Sequence, residues 1–352
     1  MSATLHPLRV AAIDELTDDA VAITFEVPPE LADDYAFVHG QHLSIEGGDG
    51  VRRSFSICTP PSSRTLRIGV KRLPGGAFSD GVVSRLRVGD ELDVLTPAGR
   101  FTTRIDPTAR KSYVAIAAGS GITPVLSILG AILEGEPGSS VTLIYANRTH
   151  RSVMFLDEVH DLKDRFPERV QIVHVLSREA QDVELFSGRL DSQRLTGILE
   201  MVAPAAEVDE WFLCGPQQMV TELRGAIEAA GARGPIHTEL FHADPVPRAP
   251  VEALAAGVDG AARVTIRLDG RTSELDLRPD GPPVLEAALA VRSDLPFACR
   301  GGVCGTCRAR LVEGAVAMDA NWALEPDELE RGYVLTCQSH PTTETVVLDY
   351  DA

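Results

Sequence analysis

Short apolar runs separated by turns dominate the first 105 residues. Turns rich in glycine and proline, among them Pro60-Pro61 and Gly75-Gly76, interrupt the runs at regular intervals. Four runs have the alternation or the β-branched content of strands, and they are Ala20–Val27, His42–Ile45, Leu66–Lys71 and Glu91–Leu95. Many short strands at this spacing predict a β-barrel or a β-sandwich.

From residue 106 to residue 242, apolar runs alternate with helical stretches. The apolar runs are Tyr113–Ala118, Val141–Tyr145, Val170–Leu176 and Glu210–Cys214, and three helical stretches are Pro124–Leu133, Met154–Arg165 and Gln217–Ala230. Alternation of this kind predicts an α/β domain with a parallel sheet and crossover helices.

Residues 243–262 contain three prolines and little periodicity, which predicts a linker. After it, Val264–Leu268 and Ser273–Leu277 have the pattern of a hairpin around Asp269-Gly270, and Val284–Ala290 that of a helix. We therefore predict three domains: a β-rich domain over residues 1–105, an α/β domain over 106–242 and a third domain over 263–352.

The composition excludes several classes of function. The chain has 33 basic and 51 acidic residues and a net charge of −18, which disfavours nucleic-acid binding. Its longest uninterrupted apolar stretch, Val114–Ala118, is far shorter than the ~20 residues of a membrane helix. Met1–Val10 lacks the cationic start and apolar segment of an export signal. We expect a cytoplasmic protein that binds neither nucleic acid nor a membrane.

Four of the six cysteines lie in the last 54 residues, and their spacing predicts a metal centre. Cys299, Cys304 and Cys307 form a C-x4-C-x2-C loop, and Cys337 follows 29 intervening residues later, which is the spacing of a plant-type [2Fe–2S] cluster. Soft thiolates hold iron well, and a glycine-rich loop lets backbone N–H groups approach sulfur. A structural zinc site is the alternative.

Two glycine turns follow apolar strands in the α/β region. Tyr113–Ala118 runs into Gly119–Pro124, and Glu210–Cys214 runs into Gly215-Pro216. A turn of this kind at a helix N-terminus offers free N–H groups to a pyrophosphate. One such turn also serves simply to reverse the chain, but two at the same sheet edge favour a dinucleotide crevice.

The β-rich region contains a third candidate site, in the segment Arg52–Ile57 before the Pro60-Pro61 turn. An arginine here can pair with a pyrophosphate, Phe55 offers a flat face to a ring, and Ser56 can bond a ring edge. Taken by itself, the segment is better explained as an ordinary strand with an exposed basic pair. A one-electron cluster joined to a nicotinamide site, however, needs a converter of electron pairs into single electrons, and a flavin fills that role.

With these motifs assembled, the chain resembles the ferredoxin–NADP reductase family fused to a plant-type ferredoxin. Arg53–Ser56 stands at the family's flavin motif and Gly76–Ser79 at its pyrophosphate loop. Gly119–Pro124 and Cys214–Pro216 stand at its nucleotide motifs, and Glu239–Phe241 resembles its Glu-x-Phe end. One departure is Phe55, where the family usually has tyrosine, so that stacking is kept and a hydroxyl is lost.

The resemblance implies an antiparallel β-barrel that binds FAD, an α/β domain that binds NADPH and an α+β ferredoxin domain. It implies catalytic roles for Ser56, Cys214 and Phe241, and a cluster held by Cys299, Cys304, Cys307 and Cys337. The cofactor-binding residues that it implies are Arg53, Ser54, Phe55, Ser56, Val70, Lys71, Gly76, Ala77, Phe78 and Ser79 for FAD, and Gly119, Ser120, Gly121, Thr123, Ser177, Arg178, Cys214, Gly215 and Pro216 for the nucleotide.

The preference for NADPH depends on Ser177-Arg178, which stands where NADPH-using relatives place a pair on the 2′-phosphate. Arginine suits a dianionic phosphate, whereas NAD sites favour an acid that accepts from the 2′-hydroxyl. A surface arginine after a strand is the alternative interpretation.

Within the family, the chain resembles reductases that serve bacterial phenylacetyl-CoA epoxidases, through Ala317–Asn321 and the stretch from Leu324 to Gln338. The resemblance therefore implies a di-iron oxygenase as the protein electron acceptor. Such a centre needs two Glu-x-x-His pairs, and this chain has only Glu239…His242. The oxygen chemistry should thus belong to the partner. The alternatives are another oxygenase, such as a steroid or aromatic-ring hydroxylase, and an iron–sulfur redox sensor.

Overall fold

The computed structural model describes residues 4–47, 51–242 and 260–352. Two compact units make up the chain, one spanning His6–Phe241 and the other containing the C-terminal residues. Residues 243–259 of the predicted linker lie outside the described residues, and its last residue, Ala262, begins a strand. Among the described helices, none combines the length and the apolar character that a bilayer crossing requires.

Six antiparallel strands form the N-terminal sheet of the first unit. In spatial order they are β4 (Arg52–Ser56), β3 (His42–Glu46), β6 (Glu91–Leu95), β1 (Leu5–Thr17), β2 (Ala20–Glu26) and β5 (Leu66–Lys71). Ile57, directly after β4, bridges Ile68 in β5, and this contact joins the two outer strands. The interior is filled by alternating apolar side chains that are completely buried, among them Leu8, Ile23, Leu43 and Ile45. The predicted antiparallel barrel is confirmed.

Five parallel strands form the second sheet of the same unit. They are β7 (Ser112–Ala118), β8 (Ser140–Asn147), β9 (Val170–Leu176), β10 (Glu210–Cys214) and β11 (Ile236–Glu239), in the order β11-β10-β7-β8-β9. The helices are α1 (Ile122–Gly135), α2 (Leu156–Arg165), α3 (Ser192–Val202) and α4 (Gln217–Ala229). Strands β8 and β9 lie on one side of β7, and the later strands β10 and β11 lie on its other side. The strand order therefore reverses between β7 and β10. In open α/β sheets, ligands bind at the carboxyl ends of the strands at such a reversal.

The C-terminal unit has a mixed sheet of strands β12 (Ala262–Leu268), β13 (Arg271–Leu277), β14 (Arg308–Glu313), β16 (Tyr333–Leu335) and β18 (Thr345–Asp349), in the order β13-β12-β18-β14-β16. Strands β15 (Val316–Met318) and β17 (Ser339–Pro341) form a separate pair, and the helices are α5 (Val284–Leu289) and α6 (Pro326–Glu330). The predicted hairpin is present, with Asp269 and Gly270 at positive φ in its turn.

Candidate functional site

The two glycine turns of the α/β domain meet at the strand-order reversal. Strands β7 and β10 are parallel neighbours, with Ala117 opposite Cys214. A Cβ on Gly121 would lie 2.2 Å from the carbonyl oxygen of Cys214, so only glycine allows the turns to approach this closely. Gly119 adopts a φ of +53°, and Gly119–Gly121 leads as a single helical turn into α1. The structure thus brings both predicted nucleotide motifs together, at the sheet edge where the crevice is predicted.

A residue of the barrel reaches the same crevice. Ser56, at the end of β4 and 3% exposed, donates a hydrogen bond from Oγ to Glu239 Oε2 at 3.1 Å. Glu239 ends β11, where the parallel register places it opposite Cys214. Burial raises the pKa of the Cys214 thiol, and the nearby Glu239 carboxylate raises it further, so the thiol is neutral. Two of the predicted catalytic residues, Ser56 and Cys214, therefore lie around one carboxylate.

Phe241, the third predicted catalytic residue, follows Glu239 by two positions, and its side chain is 41% exposed. Glu239 itself was not among the predicted site residues, although the Glu-x-Phe resemblance included it. The signal that could have found it is the register of β11 against β10, because parallel pairing places the last residues of adjacent strands side by side.

The predicted FAD residues of strand β4 and of the segment after β5 lie together on the barrel. The Phe55 and Phe78 rings are 5.2 Å apart and tilted by 35°. Phe78 is 1% exposed, so its ring belongs to the barrel core. Ser79 Oγ accepts from Leu73 N at 3.2 Å, and a Cβ on Gly76 would lie 2.6 Å from that oxygen. The turn is therefore tight, and a glycine backbone lies at its surface, as close approach by a phosphate requires.

The remaining predicted FAD residues differ in exposure. Arg53 is half-buried and donates from Nη1 to Val51 O at 2.9 Å, and Lys71 Nζ lies 3.4 Å from Asp19 Oδ2. Ser54 Oγ lies 3.2 Å from Ser44 Oγ, and the Val70 side chain is completely buried. The whole of Val70 is buried, so the structure exposes no surface of this residue to a cofactor. Arg53 on β4 and Lys71 at the end of β5 are the cationic members of this set, and cationic side chains together with an aromatic ring fit a flavin dinucleotide.

The other predicted nucleotide residues lie along the carboxyl edge of the parallel sheet. Ser120 stands in the turn before α1, Thr123 Oγ1 donates back to Ser120 O at 3.0 Å, and Pro216 immediately precedes α4. A Cβ on Gly215 would lie 3.1 Å from Ala118 Cβ, so this turn also packs closely against the end of β7.

Arg178 and Ser177 follow β9 at this edge. Arg178 N donates to Arg148 O at 2.8 Å, and Ser177 N donates to Asn147 O at 2.9 Å. Arg148 and Arg178 are both exposed. Glu179 accepts from the backbone N–H of His150 at 2.9 Å, so the acid next to Arg178 has a partner of its own. Sequence reasoning missed Arg148 as a candidate phosphate ligand; its position at the carboxyl end of β8 is the signal.

The four cysteines of the C-terminal unit lie as two pairs. The Cys299 thiolate accepts from the Cys304 thiol, which lowers the pKa of Cys299 to about 6. In the same way Cys307 donates to Cys337 and lowers its pKa. Among the described residues, no three His, Cys, Asp or Glu side chains gather as ligands of one ion. Two pairs of thiols fit the two iron atoms of a [2Fe–2S] cluster.

The loop around the cysteines has the backbone that a cluster needs. Gly302 and Gly305 adopt φ values of +74° and +67°, which favour glycine, and Arg300 is held at +54°. Gly301 N lies 3.4 Å from Cys299 Sγ, and Gln338 Nε2 lies 3.7 Å from Cys337 Sγ. N–H groups thus already point at thiol sulfurs, as they do around iron–sulfur clusters.

Comparison with known proteins agrees with this geometry. Residues 115–225 match the model of the oxidoreductase NAD-binding domain, and residues 266–342 match that of the 2Fe-2S iron-sulfur cluster binding domain. The chain is 41% identical to a component of the 1,2-phenylacetyl-CoA epoxidase from Escherichia coli K12, over 99% of this chain and 98% of that one. The chain belongs to the ferredoxin–NADP reductase family. The predicted family and the [2Fe–2S] domain are confirmed. The match to a 2Fe-2S domain does not support the alternative of a structural zinc site.

Other ferredoxin–NADP reductase family members give the same picture. The ferredoxin reductase component of 3-ketosteroid-9-alpha-monooxygenase from Rhodococcus rhodochrous is 33% identical, over 97% of this chain and 96% of that one. The solved structure of phthalate dioxygenase reductase is 24% identical, covers 98% of each chain and superposes with a TM-score of 0.58, which shows the shared fold. The chain is therefore an NAD(P)H-dependent oxidoreductase of the kind that supplies electrons to oxygenases.

Proposed function

We propose that the chain carries electrons from NADPH, by way of FAD and a [2Fe–2S] cluster, to the di-iron oxygenase of a phenylacetyl-CoA epoxidase. The observation that supports the acceptor is the 41% identity with the Escherichia coli epoxidase component along essentially the whole of both chains. The observation that supports the chemistry is the crevice where Ser56, Cys214 and Glu239 converge from the barrel and the α/β sheet.

We assign the domains as residues 1–105 for FAD, 106–242 for NADPH and 263–352 for the cluster, joined by the linker 243–262. The first bound is supported because β6 ends at Leu95 and β7 begins at Ser112, whereas β12 begins at Ala262, one residue before the assigned start of the third domain. The residues that would hold each cofactor then lie within their own domain, apart from the crevice, where Ser56 of the barrel meets Glu239 of the α/β domain.

When bound, FAD accepts an electron pair as a hydride and releases electrons singly, and the cluster carries one electron at a time. The chain supplies binding and orientation. Arg53 would pair with the FAD pyrophosphate, Phe55 would present its ring to the flavin, and Gly76–Ser79 would supply backbone N–H groups. The iron atoms would be held by thiolates of Cys299, Cys304, Cys307 and Cys337.

NADPH would place its pyrophosphate on the Gly119–Thr123 turn and its nicotinamide near Cys214. The neutral Cys214 thiol would add no negative charge beside the nicotinamide ring from which the hydride leaves. Ser56 holds Glu239 by its hydroxyl proton and so fixes the carboxylate that borders the crevice. Phe241, exposed at the end of this segment, must give way for the nicotinamide to reach the flavin.

We also propose that NADPH is preferred over NADH. Arg178 and Arg148, linked through the Arg178 N–H, present two guanidinium groups at the carboxyl ends of β9 and β8. A 2′-phosphate carries about two negative charges and pairs well with arginine. The adjacent acid, Glu179, accepts a hydrogen bond from the backbone N–H of His150 at 2.9 Å, which fixes where its carboxylate lies.

The spectrum of the purified full-length protein tests the relay. We expect flavin absorption together with an iron–sulfur chromophore, and both should bleach when NADPH is added without oxygen. Sustained NADPH-dependent reduction of cytochrome c distinguishes an enzyme from a redox sensor. A protein that contains zinc and no iron, or no flavin, contradicts the proposal.

The acceptor is tested by reconstitution with purified oxygenase components. We expect turnover of phenylacetyl-CoA when the epoxidase oxygenase is present, and little product with a 3-ketosteroid 9α-hydroxylase. The steroid enzyme is the alternative worth testing, because its reductase is also similar over the whole chain. Equal or better support of the steroid hydroxylase would assign the chain to that class of partner.

A further inference from the structure

One buried residue holds the backbone carbonyl of Cys307 from two sides. Thr336 Oγ1 lies 2.9 Å from Cys307 O, and Thr336 N donates to the same oxygen at 3.3 Å. Thr336 is completely buried and immediately precedes Cys337. The residue next to one proposed iron ligand therefore fixes the position of its paired ligand.

The direction of the hydrogen bonds around Thr336 follows from its single hydroxyl proton. A carbonyl oxygen cannot donate, so the 2.9 Å contact with Cys307 O uses the Thr336 proton. Tyr350 Oη lies 2.7 Å from Thr336 Oγ1 on the other side. Since Thr336 has no second proton, the Tyr350 hydroxyl is the donor. The bonds thus run one way, from Tyr350 through Thr336 to Cys307.

The backbone around Tyr350 is itself held in place by hydrogen bonds. Its backbone N–H donates to Arg267 O at 2.9 Å, at the end of β12. The next residue, Asp351, accepts through its carboxylate from Asp269 N at 2.8 Å and from Gly270 N at 3.1 Å. The chain end is therefore bound to the turn between β12 and β13, and the phenol is presented to Thr336 from a fixed backbone.

We propose that Tyr350 is a positioning residue for the iron–sulfur centre. Its hydroxyl orients the Thr336 hydroxyl onto Cys307 and thereby holds the Cys307–Cys337 pair around the cluster. This inference deepens the proposed function and rests on the cluster being present. The two O–H dipoles direct their positive ends toward the carbonyl oxygen of a ligand residue, and positive potential beside the cluster would favour its more negative, reduced state.

The test compares full-length variants that remove single hydroxyl groups. Tyr350→Phe removes only the first donor, and Thr336→Val removes the second, whereas Thr336→Ser keeps a hydroxyl. Tyr333→Phe is the matched control: it lies in β16 of the same unit, and phenylalanine keeps the ring that lies against the Arg308 and Arg331 guanidinium groups. The readouts are the cluster midpoint potential by spectroelectrochemical titration, the electron paramagnetic resonance spectrum of the reduced cluster, and the rate of iron release to a chelator.

We expect Tyr350→Phe to lower the midpoint potential, to shift the resonance signal and to release iron about five- to tenfold faster, as loss of one buried hydrogen bond implies. Tyr333→Phe should match the wild type in all three. Thr336→Val should shift the potential at least as far, and Thr336→Ser should restore most of it. The double variant should not exceed Thr336→Val, because both residues act along one series of bonds.

Wild-type potential, spectrum and iron release in Tyr350→Phe would overturn the inference, as would shifts of Tyr350→Phe and Thr336→Val that simply add. If Tyr350→Phe does not fold, the comparison of Thr336→Val with Thr336→Ser tests the same bonds, and equal potentials overturn the inference. Iron and sulfide analysis of the wild type separates the two proposals: a wild type without a cluster refutes the proposed function, whereas a cluster indifferent to these variants refutes only this inference.

Discussion

Replacing Gly121 with alanine tests the crevice between the two glycine turns. The new Cβ would lie 2.2 Å from Cys214 O and 2.6 Å from its carbonyl carbon, whereas real Cβ contacts are essentially never shorter than 3.0 Å. The shortfall to Cys214 O, 3.0 − 2.2 = 0.8 Å, must be taken up by backbone, because no flexible side chain is involved. Overpacking of this kind costs about 1–3 kcal/mol, which a domain of ordinary stability, about 5–15 kcal/mol, survives.

The functional effect should exceed the effect on stability. Separation of the turns by roughly 1 Å displaces Cys214 together with the backbone N–H groups that we propose bind the NADPH pyrophosphate. Misplacement of that size costs about 10²-fold in rate. We expect kcat/KM for NADPH, measured by cytochrome c reduction, to fall about 10²-fold. The cluster potential should stay unchanged, because Cys299–Cys337 belong to the other compact unit.

Gly225→Ala is the matched control. Gly225 is exposed in α4, and a Cβ there meets nothing within 4 Å. Alanine should stabilise that helix by about 0.5–1 kcal/mol and leave turnover unchanged. If Gly121→Ala keeps wild-type kcat/KM and Tm while Gly225→Ala behaves as expected, the two turns do not form the nucleotide crevice.

Two further variants test other parts of the site, and a third tests the stability contributed by Glu210, at the amino end of β10. Arg178→Ala should lower the NADPH/NADH ratio of kcat/KM by about tenfold or more, as loss of a charge-assisted bond implies; an unchanged ratio contradicts the preference. Ser56→Ala should slow flavin bleaching by NADPH about tenfold with the FAD content unchanged, and a wild-type rate would exclude a role for its hydroxyl. Burial opposes ionisation of Glu210, but interactions with His237 and Lys111 outweigh it and lower its pKa to about 2. A carboxyl group whose pKa is lower in the folded than in the unfolded state stabilises the fold at pH values above its unfolded pKa. That stabilisation is lost as the pH falls through the folded pKa. Glu210→Gln should therefore cost about 3 kcal/mol at pH 7 and progressively less from about pH 4.5 down to pH 2; a Tm difference independent of pH contradicts this.

Local patterns were sufficient for the regular elements whose side chains alternate or repeat cleanly. Leu66–Lys71 and Val170–Leu176 were predicted at the bounds that the structure shows. Strand β1, Leu5–Thr17, was missed, because Leu8 and Val10 are fully buried while most of its other residues are partly or fully exposed. Helix α3 was missed as well, since its face buries only Leu195, Ile198 and Leu199.

The candidate site likewise contains residues that the sequence could predict and residues that it could not. The [2Fe–2S] centre could be predicted from spacing, because three of its four thiols lie in one short loop whose glycines determine its path. The Glu239 carboxylate could not, because Ser56 lies 183 residues away in the chain and they meet only when the barrel packs against the α/β sheet.

The cysteine spacing and the glycine turns are properties of neighbouring residues, so the amino-acid order alone was enough to indicate iron–sulfur and nucleotide binding. Which groups surround those motifs was decided by the fold. The reversal of strand order places β7 beside β10, parallel register places Glu239 beside Cys214, and the chain end at Tyr350 reaches back to Thr336. Contacts of this range depend on how whole sheets pack, and packing combines many weak burial terms that no short stretch of sequence contains.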